Sequence, residues 1–222
     1  MTTGAVMKYL DIFDLDGTLW KNPVDTPETR KQYEKATGIP WAISKSLSKE
    51  LSAKHGKFIP MRQGWYGRAE TMQPPLCPDP LTPEWFITET VEALRKSAAD
   101  PERATVIMTG RHAGLAQQVY RVIHDGKLAQ VEKVGNGTFR WVDPKVQLFL
   151  LGNDGPAIKL AKGPKPQETF PWKKWIIDQF VALWTDLEEI HIWEDRDEHV
   201  VSFGELQAEL DPLLVKVYHV KL

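Results

Sequence analysis

Thiol chemistry is almost absent from this sequence. Its single cysteine, Cys77, excludes an internal disulfide and a cysteine-rich zinc site. A reducing compartment, the cytoplasm, is the expectation that follows. No apolar run approaches the length of about 18 residues that a membrane span needs. The opening stretch, Met1 to Asp11, lacks a basic segment followed by a long apolar one, so no secretory signal is expected. Neither sign of charge dominates: 28 Lys and Arg stand against 30 Asp and Glu, a formal net charge of −2. That balance gives no support to binding nucleic acid over the whole surface and leaves a local basic patch open. Repeats and low-complexity tails are missing. So are the G-x-x-x-x-G-K-[ST] and strand-linked G-x-G-x-x-G nucleotide loops, an H-E-x-x-H pair among the six histidines, and the G-x-S-x-G serine elbow.

What remains is an ordinary globular composition, 42% hydrophobic and 26% charged over 222 residues. This suffices for one α/β domain with a sizeable core, or a core with a small cap. The nine tryptophans are suited to filling cores or to serving as stacking platforms. Short apolar runs predict buried strands over Lys8–Phe13, Thr105–Met108, Val146–Leu151, Ile190–Trp193 and Val215–Val220. Helical patterns lie between them. One runs over Pro83–Ser97, capped by Thr82 with proline at its first position; the others cover Gly114–His124 and Trp172–Trp184. Alternating strands and helices imply a central, mostly parallel sheet with helices on both faces, and a site beyond the carboxyl ends of the strands. Residues 20–82 carry eight of the 16 prolines and read as an insertion after the first strand, a cap or lid; residues 1–19 and 83–222 form the core. Val131–Val142 fits a hairpin around Gly135-Asn136-Gly137.

Four segments carry chemistry. Asp14-Leu15-Asp16-Gly17-Thr18 follows the first strand, and strand alternation sends Asp14 and Asp16 to the same side. Two carboxylates there suit a shared divalent cation, with one attacking phosphorus and the other handling the leaving group's proton; Gly17 allows the sharp backbone departure. A bare Asp-Gly is commonly only a turn, and the whole pentapeptide after a strand is what carries the reading. Val106 to Arg111 ends a second strand in Thr109, Gly110 and Arg111. Thr109 and the Gly110 amide can donate to a phosphoryl oxygen. The Arg111 fork suits either phosphate or a salt bridge anchoring the following loop. Lys173, with Lys174 as the alternative, stands near a helix start and can neutralise an attacking carboxylate and an incoming phosphoryl group. Ile190 to His199 runs a strand into acids. Asp195 suits Mg²⁺ directly, and Glu194 suits a second layer or a bound water. Asp197 and Glu198 suit the first turn of the next helix.

These segments, in this order, resemble the haloacid dehalogenase (HAD) superfamily of aspartate-nucleophile phosphotransferases. Within it the chain resembles the branch of the Swiss-army-knife RNA-repair proteins, whose domains resemble polynucleotide 3′-phosphatases. The likeness rests on Gly64-Trp65-Tyr66-Gly67-Arg68, Thr109-Gly110-Arg111, Thr169-Phe170 with Trp172-Lys173, and Glu194-Asp195-Arg196 with His199-Val200. It implies a HAD-like Rossmannoid three-layer fold. It also implies a nucleophile at Asp14, an acid–base group at Asp16 whose carbonyl touches Mg²⁺, phosphoryl contacts from Thr109 and Lys173, and metal ligation by Asp14 and Asp195. Where the superfamily often has a second acid, this chain has His199, which leaves Glu194 as its substitute.

The insertion suggests the substrate. Lys45, Lys49, Lys54, Lys57, Arg62 and Arg68 are interleaved with Trp41, Trp65 and Tyr66. Charges that track phosphates and rings that stack on bases suit a nucleic-acid end or a nucleotide, with Arg68 and Trp65 as contacts. Trp41 and Trp65 equally suit a small core of the cap itself. An Mg²⁺-dependent phosphatase of nucleic-acid 3′ ends or nucleotides is the first expectation. A phosphatase of a small phosphorylated metabolite is the second, and a non-catalytic binding module the third.

Overall fold

A computed structural model describes residues 6–38, 40–41, 45–56, 65–135, 137–151 and 168–221. Lys57, Arg62, Gly64 and Asn136 of the sequence reading lie outside the described residues. The elements in chain order are β1 (Tyr9–Asp14), α1 (Pro27–Thr37), α2 (Lys45–His55), α3 (Thr88–Ala99), β2 (Arg103–His112), α4 (Ala116–Gly126), β3 (Val131–Gly135), β4 (Thr138–Trp141), β5 (Val146–Leu151), α5 (Thr169–Leu183), β6 (Glu189–Glu194), α6 (Asp197–Glu209) and β7 (Leu214–His219). The chain divides into two compact units, Met1–Lys21 with Thr82–Leu222, and Asn22–Leu81. Among the described residues no helix is long and apolar enough to cross a membrane.

The first unit holds a five-stranded sheet in the order β5-β2-β1-β6-β7, and every pairing in it is parallel. Alternation along the strands sends Leu10, Ile12, Val106, Met108, Ile190 and Ile192 to one face, where they pack with Trp172, Ile176, Ile177 and Phe180 of α5 and Phe203 and Leu206 of α6. Thr105 points to the other face, and its hydroxyl lies 2.6 Å from that of Ser97, which ties α3 there. The result is the three-layer α/β architecture of a HAD-type Rossmannoid fold. From β1 the chain passes to β2 on one side, and β6 later joins on the other. The reversal opens a crevice at the carboxyl end of β1.

All five sheet strands lie where the apolar runs put them, Val146–Leu151 without change and the others shifted or lengthened at their ends; the expected burial fails for β7, which stands at the sheet edge with no buried residue. The first core helix is different. Pro83–Trp85 makes one 3-10 turn, and α3 begins only at Thr88. Phe86 leaves the helical path to bridge Trp20, and the Ile87 amide donates to the Leu19 carbonyl at 3.1 Å. Pairing with the segment after β1 thus overrides an intact helical pattern. Helix α5 instead starts three residues early, with Pro171 inside its first turn, where an amide hydrogen has no helical partner to lose. The expected hairpin is present as β3 and β4, antiparallel.

The second unit has its own small core of Tyr33, Trp41, Trp65 and Leu76. Tyr33 meets Trp41 edge to face at 5.1 Å, and the Arg68 guanidinium lies 4.2 Å from the centre of the Trp41 ring. The Trp65 indole donates to the Pro23 carbonyl at 2.6 Å.

Candidate active site

Register gathers the site. Asp14 ends β1 opposite Met108 of β2, and Phe13 faces Trp193 of β6. Thr109 and Glu194 therefore arrive beside Asp14 from the two flanking strands. Asp14 is 5% exposed, and Lys173 and Glu194 are fully enclosed. The Lys173 ammonium reaches down from α5 and donates to Asp14 Oδ1 at 2.5 Å and to Glu194 Oε2 at 2.8 Å. Lys174, one residue on, instead pairs with Asp178 and Glu209 at the surface.

One oxygen from each of Asp14, Glu194 and Asp195 lies within 4.8 Å of the others. Gly17 makes this possible: its φ is +73°, and a Cβ there would run into the Asp195 carboxylate. Three acids meet one enclosed ammonium, and their protonation divides accordingly. Burial favours a neutral Glu194, but Lys173, a hydrogen bond from His199 and the charge of Arg196 outweigh it and hold Glu194 below the ordinary carboxylate range. Burial pushes Asp14 up to about 7, the Lys173 charge offsetting only part of that and Glu194 adding to it. Burial and the neighbouring Asp14 charge push Asp195 up to about 8. Burial alone would lower Lys173, yet the charges of Asp14 and Glu194 hold it above its ordinary value. Asp195 Oδ1 is buried and finds no hydrogen-bond partner among the described residues. Clustered oxygen donors whose charge burial and one another oppose, and one orphaned oxygen, are what a hard divalent cation satisfies. These residues fit Mg²⁺.

Asp16 belongs to a different set. Arg111 donates Nε to both of its oxygens at 2.9 Å and Nη2 to Oδ1 at 2.6 Å. Thr109 Oγ1 lies 3.3 Å from Asp16 Oδ2, and the Trp20 indole donates to Oδ1 at 3.2 Å. Strand β2 slips register against β5 between Thr109 and His112, which carries Gly110 and Arg111 off the ladder and toward β1. Gly110 packs against the Thr169 side chain at the start of α5. The Asp16 carboxylate is not among the three clustered acids.

Six of the expected residues are thus gathered at the strand ends: Asp14, Asp16, Thr109, Lys173, Glu194 and Asp195. Gly110 and Arg111 adjoin them. Arg68 and Trp65 pack inside the second unit. Three participants were given no part in the site by the sequence. Trp20 follows Asp16 by four residues in a tight turn, which was the available signal. Arg196 and His199 flank Glu194, with His199 Nδ1 3.1 Å from its Oε2, and nothing in their spacing announced that contact.

Among curated proteins nothing matches the chain. Residues 61–221 match the family described as HAD domain family 1 in Swiss Army Knife RNA repair proteins. The matched stretch holds Thr109, Lys173, Glu194 and Asp195 and begins after Asp14 and Asp16, which the sheet brings to them. With well over half of its length matched, the chain belongs to this family of HAD domains.

Proposed function

We propose that the protein is an Mg²⁺-dependent phosphatase that works through an aspartyl-phosphate on Asp14, with a nucleic-acid 3′ end or a nucleotide as its substrate. The observation that carries this reading is the enclosed Asp14, bonded to Lys173 and set among two further acids, one with an orphaned oxygen. Asp14, Asp195 and Glu194 would hold the ion, which when bound supplies positive charge against that of an anionic phosphate. The Asp14 carboxylate oxygen bonds to phosphorus while the bond to the leaving alcohol breaks, and protonated Asp16 gives its proton to the departing oxygen. Asp16 then takes a proton from water, the water oxygen bonds to phosphorus, and the bond to Asp14 breaks to release inorganic phosphate. Lys173 keeps the charge on Asp14 in place, and Thr109 offers its hydroxyl to a phosphoryl oxygen.

The family description and the exposed lysines Lys45, Lys49 and Lys54 of α2 support a nucleic-acid substrate. Burial of Trp41 and Trp65 in their own cluster favours the second reading, a small phosphorylated metabolite, because neither ring then stands free as a platform. Hydrolysis of a generic phosphoester should require Mg²⁺ and vanish in Asp14→Asn with the fold intact. Rates on 3′-phosphorylated oligonucleotides should exceed those on mononucleotides and sugar phosphates. Equal rates across that panel would remove the repair reading, and absence of any hydrolysis with Mg²⁺ would remove the enzyme.

A further inference from the structure

The opposite, amino-terminal end of the sheet has a recess of its own. A cavity of about 230 Å³ lies there in the first unit, walled by Met7, Ala98, Ala99, Ala104 and Trp184. That is below the roughly 300–1,000 Å³ of sites for drug-sized ligands and suits a single planar ring system. Its floor is polar. Gln147, the second residue of β5, lines the cavity and is only 2% exposed, yet its Oε1 has no hydrogen-bond partner among the described residues. Native structures rarely enclose a carboxamide oxygen without giving it a partner. An amide offers an acceptor and a donor side by side, the pattern that pairs bidentately with the N6 and N7 edge of adenine.

A second, more open recess of about 710 Å³ adjoins the first and shares Ala98, Ala99 and Lys145 with it. It is lined by Arg95, Lys127 and Lys145, none of which makes an ion pair with an acid among the described residues. Arg95 donates one bond to the Gly126 carbonyl at 3.2 Å. The two acids in the same wall are already engaged. Glu132 pairs with Arg140, and Asp143 accepts the backbone amides of Gln130, Lys145 and Val146. Lys127 is the one non-glycine residue with positive φ among the described residues, at 51°. It is the left-handed cap that closes α4, with its amide donating to the His124 carbonyl at 3.1 Å. A ring-sized cavity with an unanswered amide thus lies beside a recess with three cations unmatched by acid.

We propose that this end of the sheet is a second nucleotide site, separate from the carboxylate centre, which takes an adenine ring against Gln147 and Trp184 and its phosphate on Lys145, Arg95 and Lys127. A free adenosine nucleotide and an adenosine within an RNA strand share that chemistry. The test is calorimetric titration of adenosine 5′-monophosphate and of a short oligoadenylate into the whole 222-residue chain without Mg²⁺. Both the native chain and Asp14→Asn should bind with the same affinity. Gln147→Leu and Lys145→Glu should each weaken binding by about tenfold, and Gln147→Leu should leave hydrolysis of a generic phosphoester unchanged. Tighter binding of the oligoadenylate assigns the site to strands, and equal binding assigns it to the free nucleotide. Lys145 is exposed, so its reversal decides the matter even if Gln147→Leu does not fold. No binding of either ligand at millimolar concentration, or affinities that ignore both substitutions, would overturn the proposal.

Discussion

At the scale of single residues, Arg111 shows how much a side chain's role depends on which strand lies next to it. From the sequence its guanidinium was equally suited to a phosphate and to a salt bridge. The structure turns the fork onto Asp16, with Nε and Nη2 both committed and the side chain fully enclosed. That Asp14 and Asp16 stand together at a strand end was legible, because five consecutive residues after an apolar run specify a turn and a strand end; the shared cation expected of the two carboxylates was not met, since Asp16 faces Arg111 and the acid cluster is completed by Glu194 and Asp195. The partner of Arg111 was not legible, because strand order and the slip in β2 bring it to Asp16 across 95 positions of sequence. If Asp16 is the proton carrier, Arg111 is a positioning residue. A lysine cannot reproduce a bidentate fork, and a catalytic group displaced by about 1 Å loses roughly 10²-fold in rate. Arg111→Lys should therefore fold, lower kcat by about that factor and leave KM nearly unchanged. A raised KM with kcat preserved would instead put Arg111 on the substrate's phosphate.

At the scale of elements, the sheet was readable and the helix boundaries were less so, for a physical reason. A buried parallel strand announces itself by a dense apolar run, and tertiary packing agrees with that signal in β1, β2, β5 and β6, whereas β7, at the sheet edge, has the apolar run without the burial. The stretch before α3 carries a cap residue, a proline and helical spacing, yet Phe86 and Ile87 bond to the segment after β1 and delay the helix. Periodicity reports a preference, and a distant hydrogen-bond partner can overrule it. Helix α1 is the contrasting case, an element with little apolar surface that depends on its ends. Only Tyr33 is buried along it. Thr26 accepts from the Thr29 amide while the Thr29 hydroxyl accepts from the Thr26 amide, and Gly38 closes the helix at a φ of 63°. Thr26→Ala should lower stability by about 1 kcal/mol in urea unfolding, and Thr26→Ser should restore it. An unchanged midpoint in the alanine variant would mean that tertiary contacts, not the cap, hold α1.

At the scale of the whole molecule, the crowded acids make stability a function of pH and, with the proposed ion bound, of metal. Asp14 and Asp195 are pushed up to about 7 and about 8 in the folded chain, so the fold retains protons that the unfolded chain releases near pH 4. A raised value gives stability that is complete below the unfolded pKa and is lost as pH climbs through the folded one. Glu194 and Asp11 are held low and act in the opposite sense, but their contribution is already complete above about pH 4.5 and falls away only in acid. His191, raised chiefly by its bond to Asp11, adds to the loss on the alkaline side. Metal-free protein should therefore melt progressively lower from about pH 5 to about pH 8, at roughly 2–4 °C for each kcal/mol. A cation competing with those protons should flatten the slope and raise the midpoint most at the alkaline end, by an amount set by its concentration relative to its Kd. Asp195→Asn removes one of the repelling charges, so at about pH 8 without metal it should melt above the native chain, and its gain from added Mg²⁺ should disappear. Melting curves that coincide with and without Mg²⁺ across this range would mean that the three carboxylates do not hold the ion, and the proposed chemistry at Asp14 would lose its support.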